Sequence, residues 1–396
     1  MVSDSTFEDW LSEIAGGRRL LLLKRLSAND TGQSGGHQAG FYIPNAAAFT
    51  IAPELTAPTP NPKHGCRLRL VSHNQAAAPV LTYYNNRYLG RTRDECRITG
   101  FGGRTSALQQ PDSTGGLICL AFGPDGDVLG WLARNAAEED RLEDLFGQVP
   151  PGTVVWITRG DDDSAEVRES APGADVCRPT AETLPSAWLE RFPTGAQLSE
   201  EAARMAGVDR LNPDRRLVRR FRCEYELFKV VEAIHLLPRI RAFDSVDGFL
   251  SVAQSALQRR KARAGRSLEL QLARVFREEG VVCEWGAVTE PGHIPDALFP
   301  SADRYRVAAV GSEDLRMLAV KTTLKDRWRQ VLEEADKIPR KHLFTLAEGV
   351  SMPQFVQIAA AGLTLVVPRE NVIKFPSQIR SDLLDLDDFI RLVKNE

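Results

Sequence analysis

The 396-residue sequence lacks any apolar run of the ~18 residues a membrane helix needs. Its densest early patch, Leu20 to Leu23, is closed by Arg19 and Lys24, so no membrane partner is expected. The first ten residues carry Asp4, Glu8 and Asp9 and no basic segment, which argues against a secretory leader and for a cytoplasmic protein. Cysteine is sparse: six residues, at 66, 96, 119, 177, 223 and 283, with no Cys-x-x-Cys pair. That excludes a zinc site of ordinary spacing and predicts reduced, unpaired thiols. Excess charge of one sign is missing as well. Fifty Lys and Arg against 53 Asp and Glu leave a net charge of −3, which excludes a histone-like polycation but not local basic surfaces.

Several catalytic signatures are also absent. There is no Walker A motif, no His-Glu-x-x-His, no complete Gly-x-Gly-x-x-Gly, and no ligand spacing among the six histidines. Gly32 to Gly36 does match Gly-x-Ser-x-Gly. A nucleophile elbow needs a strand before that motif and a helix after it. Here it lies in the loop-rich stretch 27–40, so a serine hydrolase is not expected.

What remains is globular: 43% hydrophobic and 26% charged residues, in a chain long enough for two domains. The clearest break is 160–185, with Asp161-Asp162-Asp163, Pro172, Gly173 and Pro179 and no apolar period. It predicts one domain over 1–165, a linker over 166–185 and a second domain over 186–396. The first domain reads as β-rich. Short apolar runs at 20–23, 40–43, 67–71, 81–84, 116–122 and 153–157 alternate with turn residues, after a short opening helix at 5–14. The second reads as α/β with a central mixed sheet. Residues 224–237 and 267–279 have helical apolar spacing, and 316–323 has the unbroken apolar run of a strand buried on both faces. Residues 342–346, 351–361 and 363–367 read as a βαβ unit with Gly362 as C-cap.

The chemistry concentrates between Glu269 and Glu334. Asp296 precedes the apolar run Ala297-Leu298-Phe299, and 25 residues later Lys321 ends the second strand. An acid opening one strand and a lysine closing another can hold Mg²⁺ and place an amine beside a phosphate. The common form of this arrangement has a second acid two residues before the lysine, on the same strand face. Ala319 stands there instead. Trp328, Val331, Leu332, Ala335 and Ile338 suggest a helix after the strand, and Glu334 falls on the edge of its apolar stripe while Glu333 points away. Glu334 is therefore the candidate second acid, and Glu269, beside Leu268, a fourth site residue. Two arginine clusters, 215–222 and 259–266, suggest contact with a phosphate backbone.

At these residues the chain resembles a known family. Lys321-Thr-Thr-Leu-Lys-Asp-Arg-Trp-Arg-Gln330, Glu334-Ala-Asp-Lys337, the run from His342 to Val350 and Arg263-Ala-Gly-Arg-Ser-Leu-Glu269 closely resemble the EcoRII family of type II restriction endonucleases. Lys24 to Gly32, Gly35-Gly-His-Gln38, Tyr83 to Arg87 and Arg97 to Thr99 extend the likeness to the first domain. The resemblance implies an N-terminal DNA-binding pseudobarrel and a C-terminal restriction-endonuclease-like fold. It implies a homodimer that needs Mg²⁺, cuts duplex DNA at CCWGG and is stimulated by a second copy of the site, with the first domain shielding the cleft. A companion DNA methyltransferase is expected beside such an enzyme.

Carried over position by position, the resemblance makes Asp296 and Glu334 metal ligands. Lys321 acts at water and phosphate, and Glu269 supports the site. Lys325, Asp326 and Arg327 would read C·G pairs, since Arg and Lys donate to guanine and Asp accepts from cytosine. His37, Tyr42, Arg87, Arg91, Arg93, Glu95 and Arg97 would contact effector DNA. Cys96 stands where the family has a basic residue, which would weaken that contact. A rival assignment, Arg222 with Tyr305 as a covalent integrase-like pair, dispenses with metal and explains fewer residues. Two other readings are a non-catalytic DNA-binding regulator and a nuclease of the same fold with methylation-dependent targeting.

Overall fold

The computed structural model describes residues 6–15, 20–33, 40–88, 90, 92–159, 165–170, 177–208, 210–240 and 243–394. The first domain opens with α1 (Phe7–Ala15), β1 (Leu20–Arg25), β2 (Gly40–Ile43), α2 (Asn45–Ile51), β3 (Lys63–Gly65) and β4 (Arg67–Leu70). It continues with β5 (Gln75–Ala77), β6 (Val80–Tyr84), β7 (Glu95–Thr99), β8 (Leu117–Phe122), β9 (Asp127–Leu132), α3 (Ala136–Phe146), β10 (Val154–Arg159) and β11 (Ala165–Ser170). These strands form a seven-stranded sheet in the order β11-β10-β1-β8-β9-β4-β5 and a four-stranded sheet in the order β2-β7-β6-β3.

The unbroken Leu20 to Leu23 run has a simple cause. β1 is central, paired with β8 on one side and β10 on the other. Leu20 and Leu22 enter the core shared with the small sheet, while Leu21 and Leu23 enter a second core beneath α1 and α3. Strict alternation thus splits one strand between two cores, each leucine contributing about 1.5–3 kcal/mol of burial.

The second domain begins with a helical layer: α4 (Ala187–Glu190), α5 (Gly195–Ala206), α6 (Pro213–Ile240) and α7 (Val246–Glu278). There follow β12 (Glu284–Trp285), β13 (Ala297–Phe299), α8 (Ala302–Val307), β14 (Arg316–Lys321), β15 (Lys341–Thr345), α9 (Met352–Ala360), β16 (Leu363–Val366), α10 (Arg369–Val372) and α11 (Leu386–Lys394). The sheet order is β12-β13-β14-β15-β16. β12, β13 and β14 pair antiparallel, and β14, β15 and β16 parallel, so the sheet is mixed as expected. In β14, Met317 and Ala319 face one core and Leu318 and Val320 the other, which explains its unbroken apolar run. Gly362 ends α9 at φ +74°, and a Cβ there would lie 2.8 Å from the Pro339 carbonyl. Only glycine fits that approach.

Four expectations are corrected. The expected linker start at 166 falls inside β11, which pairs with β10 along its whole length. Val167 and Arg168 are exposed there, and an edge strand open to water needs no marked apolar alternation. Cys177 and Cys223 are not free thiols but form a disulfide with Cα atoms 5.5 Å apart; 46 residues separate them, so no short motif announces the pair. The regular helix expected after β14 is a 3-10 turn, Lys325–Val331, followed by a left-handed residue, Ala335, at φ +51°. Finally, both arginine clusters are partly engaged in ion pairs within the protein. Arg216 and Arg220 pair with Glu278, Arg260 with Glu232 and Arg266 with Glu269.

Candidate active site

The site lies at one end of the second-domain sheet. β13 runs antiparallel to β14 with Ala297 opposite Leu318, so Asp296 emerges just beyond the last pairing, level with Ala319. Its carboxylate accepts a 2.6 Å hydrogen bond from the Val320 amide, which holds the side chain at the strand end. Lys321 follows Ala319 on the same strand face, and its ammonium lies 3.6 Å from Asp296. Both side chains are about one-fifth to one-quarter exposed, open enough for a ligand yet partly shielded from water.

Glu334 arrives from the turn that follows. Trp328, Val331, Ala335 and Ile338 bury themselves against the β14 face that carries Lys321. That anchoring leaves Glu334 between two buried residues and turns its side chain toward the same strand end. Burial first, and then the nearby Asp296 charge, push the Glu334 carboxyl up to about 7, while Lys321 and Lys341 oppose the shift. Its Oε2 is buried without a hydrogen-bond partner. Glu269 reaches the site from α7, which packs on the opposite sheet face. It is ion-paired to Arg266 at 2.7 Å, and burial and Asp296 raise its pKa too.

Burial and the Asp296 charge thus raise the carboxyls of both Glu269 and Glu334 beside the Lys321 ammonium, which leaves the cluster short of positive charge. The orphaned Glu334 oxygen and the half-open Asp296 fit a hard, oxygen-seeking divalent cation that keeps some of its own water. Among the described residues no group of three or more His, Cys, Asp or Glu side chains is already gathered as a metal cage.

The rival pair is arranged differently. Tyr305 is buried on α8; its hydroxyl donates to Glu290 and accepts from the Lys337 amide. Burial and Glu290 raise its pKa, which makes the phenol a poor nucleophile. Arg222, on α6, lies 3.9 Å from Glu370.

Comparison with known proteins matches both domains. The family model described as "Restriction endonuclease EcoRII, N-terminal" covers residues 17–161, and "EcoRII C terminal" covers 228–390. The type II restriction enzyme EcoRII of Escherichia coli is 41% identical over 396 residues, spanning 98% of this chain and 96% of that protein. The chain belongs to the EcoRII family of type II restriction endonucleases. As an EcoRII-family enzyme it is a site-specific deoxyribonuclease. Solved structures that overlay on part of it include metal-depleted Ecl18kI in complex with uncleaved, modified DNA, at 20% identity over 53% of this chain and 80% of that one, with a TM-score of 0.43. Another is the restriction endonuclease PspGI–substrate DNA complex, at 16% identity over 54% of this chain and 99% of that one, with a TM-score of 0.44.

In this EcoRII-family chain the DNA-reading candidates sit against the first domain. The Lys325 ammonium donates to the Ala133 carbonyl at 2.6 Å and lies 3.2 Å from Glu139. Arg327 pairs with Asp140, and Lys261 lies 3.5 Å from Asp144. Glu139 is itself buried against Arg25 of β1 at 2.7 Å. Helix α3 thus lays an acidic face along the segment after β14. The Asp326 side chain lies outside the described residues. The sequence reading missed α3, although five acids and one arginine among its 11 residues, AAEEDRLEDLF, signal a basic partner.

In the small sheet, Tyr42 of β2 pairs with Arg97 of β7, and Arg97 donates to Glu95 at 2.9 Å. These three are half-buried on one face. Arg87 and Arg93 are exposed on the loop between β6 and β7; His37 and Arg91 lie outside the described residues. Cys96 alternates to the other face of β7 and is fully buried, and burial pushes its thiol up to about 12. It therefore faces the core of the first domain.

Proposed function

We propose that this EcoRII-family chain is a Mg²⁺-dependent endonuclease that hydrolyses both strands of duplex DNA at a CCWGG-like site. In this reading its first domain restrains it and releases it on binding a second copy of the site. The observation that carries the reading is the meeting of Asp296, Lys321, Glu334 and Glu269 at one sheet end. Asp296 and Glu334 would hold the metal. When bound, Mg²⁺ would polarise the scissile phosphate and acidify a water. Lys321 sits where its ammonium offsets the charge that grows on the phosphate oxygens and orients the incoming water. The Val320 amide keeps Asp296 in place throughout, and Glu269 holds Arg266 at the rim. Lys325, Asp326 and Arg327 are the proposed readers of the C·G pairs, and Tyr42, Arg87, Arg93, Glu95 and Arg97, with His37 and Arg91, the proposed effector contacts. The CCWGG preference rests on the family resemblance.

Restraint is supported by the acidic face of α3. Glu139 and Asp140 occupy the cations of Lys325 and Arg327 much as phosphate or base acceptors would, so DNA and α3 compete for them. Cutting both strands calls for two active sites related by a two-fold axis, hence a homodimer on a near-palindromic site. The deciding experiment compares plasmids with one and two target copies. Asp296→Ala and Lys321→Ala should abolish cutting while leaving DNA binding largely intact. Removing residues 1–185 should abolish the need for a second copy. Full cutting by either point variant would remove the proposed site, and unchanged or lost activity of the truncated protein would count against restraint.

A further inference from the structure

Glu334 hangs on a turn that the backbone would not choose by itself. Ala335 is fully buried and left-handed, a conformation that L residues with a Cβ rarely adopt. Lys341, the first residue of β15, answers this. It is 7% exposed, and its ammonium donates to two successive carbonyls, those of Glu334 and, at 3.1 Å, Ala335. In the parallel register His342 is level with Leu318, so Lys341 is level with Met317, four residues before Lys321 on the neighbouring strand. At ~3.3 Å per residue that is roughly 13 Å from the catalytic end. Lys341 meets the proposed site through the turn, and its charge also favours the ionised Glu334 carboxylate.

A buried ammonium is costly unless its donors are used and its charge is matched. Here two carbonyls accept hydrogen bonds from it, and Asp336, Glu290 and Glu334 offset part of the burial, which still lowers its pKa. The turn is fixed from its far side as well. The Lys337 ammonium caps the carbonyls of Tyr305, Arg306 and Ala308, and the Lys337 amide meets the Tyr305 hydroxyl.

We infer that Lys341 is a positioning residue for divalent-metal binding: by clamping the Glu334 and Ala335 carbonyls it holds the left-handed turn that presents the Glu334 carboxylate beside Asp296. The inference rests on Glu334 being a metal ligand, as proposed above, and the test separates the two. Mn²⁺ alone is titrated into the full-length protein without DNA and followed by the electron paramagnetic resonance of free Mn²⁺. Wild type and Glu334→Gln are compared first. Equal Mn²⁺ binding by these two overturns the metal-ligand reading itself. If Glu334→Gln weakens binding, Lys341→Met is expected to weaken it at least fivefold. The Mg²⁺ concentration for half-maximal plasmid cutting should rise by a similar factor, while the rate at saturating Mg²⁺ falls less than threefold. A folded Lys341→Met protein with wild-type Mn²⁺ affinity, or one that loses rate without any change in metal requirement, overturns the role of Lys341 alone. If Lys341→Met does not fold, Lys341→Gln, which still donates to one carbonyl, goes through the same titration. A loss of threefold or more supports the clamp, and wild-type affinity overturns it.

Discussion

Single residues set the pH behaviour of the site. With its pKa raised to about 7, Glu334 keeps its proton into the neutral range, and in the proposed metal site a cation would have to displace that proton to bind. Affinity for metal should then fall about fivefold from pH 7 to pH 6 and about tenfold per unit below that, with little change above 8. We expect the Mg²⁺ requirement for cutting to rise about fivefold between pH 7 and pH 6. A flat requirement across that range would remove Glu334 from the ligand set. The sign for stability follows from the same shift. A carboxyl raised above its ordinary value favours the fold while protonated, so the metal-free protein should lose stability as pH climbs through 7. Glu334→Gln should flatten that slope in thermal melts. Tyr305 makes a separate prediction. With its hydroxyl committed to Glu290 and Lys337, it should form no protein–DNA link, and denaturing electrophoresis of reaction mixtures should contain no covalent adduct.

At the scale of elements, the proposed restraint rests on the contact between α3 and the segment after β14. Asp140 has a side chain about 42% exposed and pairs with Arg327, so replacing it disturbs little of the core. Asp140→Arg should raise cutting of a one-site plasmid several-fold while leaving the two-site rate nearly unchanged. A one-site rate that stays at the wild-type level would mean that α3 does not hold the segment shut. Glu139 is a poorer probe, because its removal also takes one of two carboxylate partners from the buried Arg25. Helix α7 is the clearest packing element. Leu268, Leu272, Val275 and Phe276 lie along one face against the sheet. Leu272→Ala should cost about 2–5 kcal/mol, read as a lowered melting temperature. That stripe was legible in the sequence because helical spacing is a local property. The length of α6 and α7 was not, since charged residues fill their outer faces and arginine runs there resemble a nucleic-acid surface.

For the whole molecule, the proposed homodimer would cut both strands only with two copies acting together. Co-expressed wild-type and Lys321→Ala chains should form mixed dimers that nick plasmid DNA as their main product. Only linear and uncut DNA in that mixture would argue against one active site per strand.

What the sequence determined by itself is what neighbours along the chain decide. Leu20 to Leu23 and Met317 to Val320 are apolar on both faces, so they had to be central strands, and a polar residue flanking such a strand, Asp296 or Lys321, had to stand at its end. The tertiary structure alone decided the rest. Glu334 is turned inward not by a helix but by the left-handed Ala335. Cys177 meets Cys223 across 46 residues, and the arginines of α6 are absorbed by Glu278 and Glu279. Lys325 finds the Ala133 carbonyl 192 residues away. Spacing fixes which face a side chain takes within its element. Which face of another element it then meets depends on how two separately folded layers dock, and no local pattern records that.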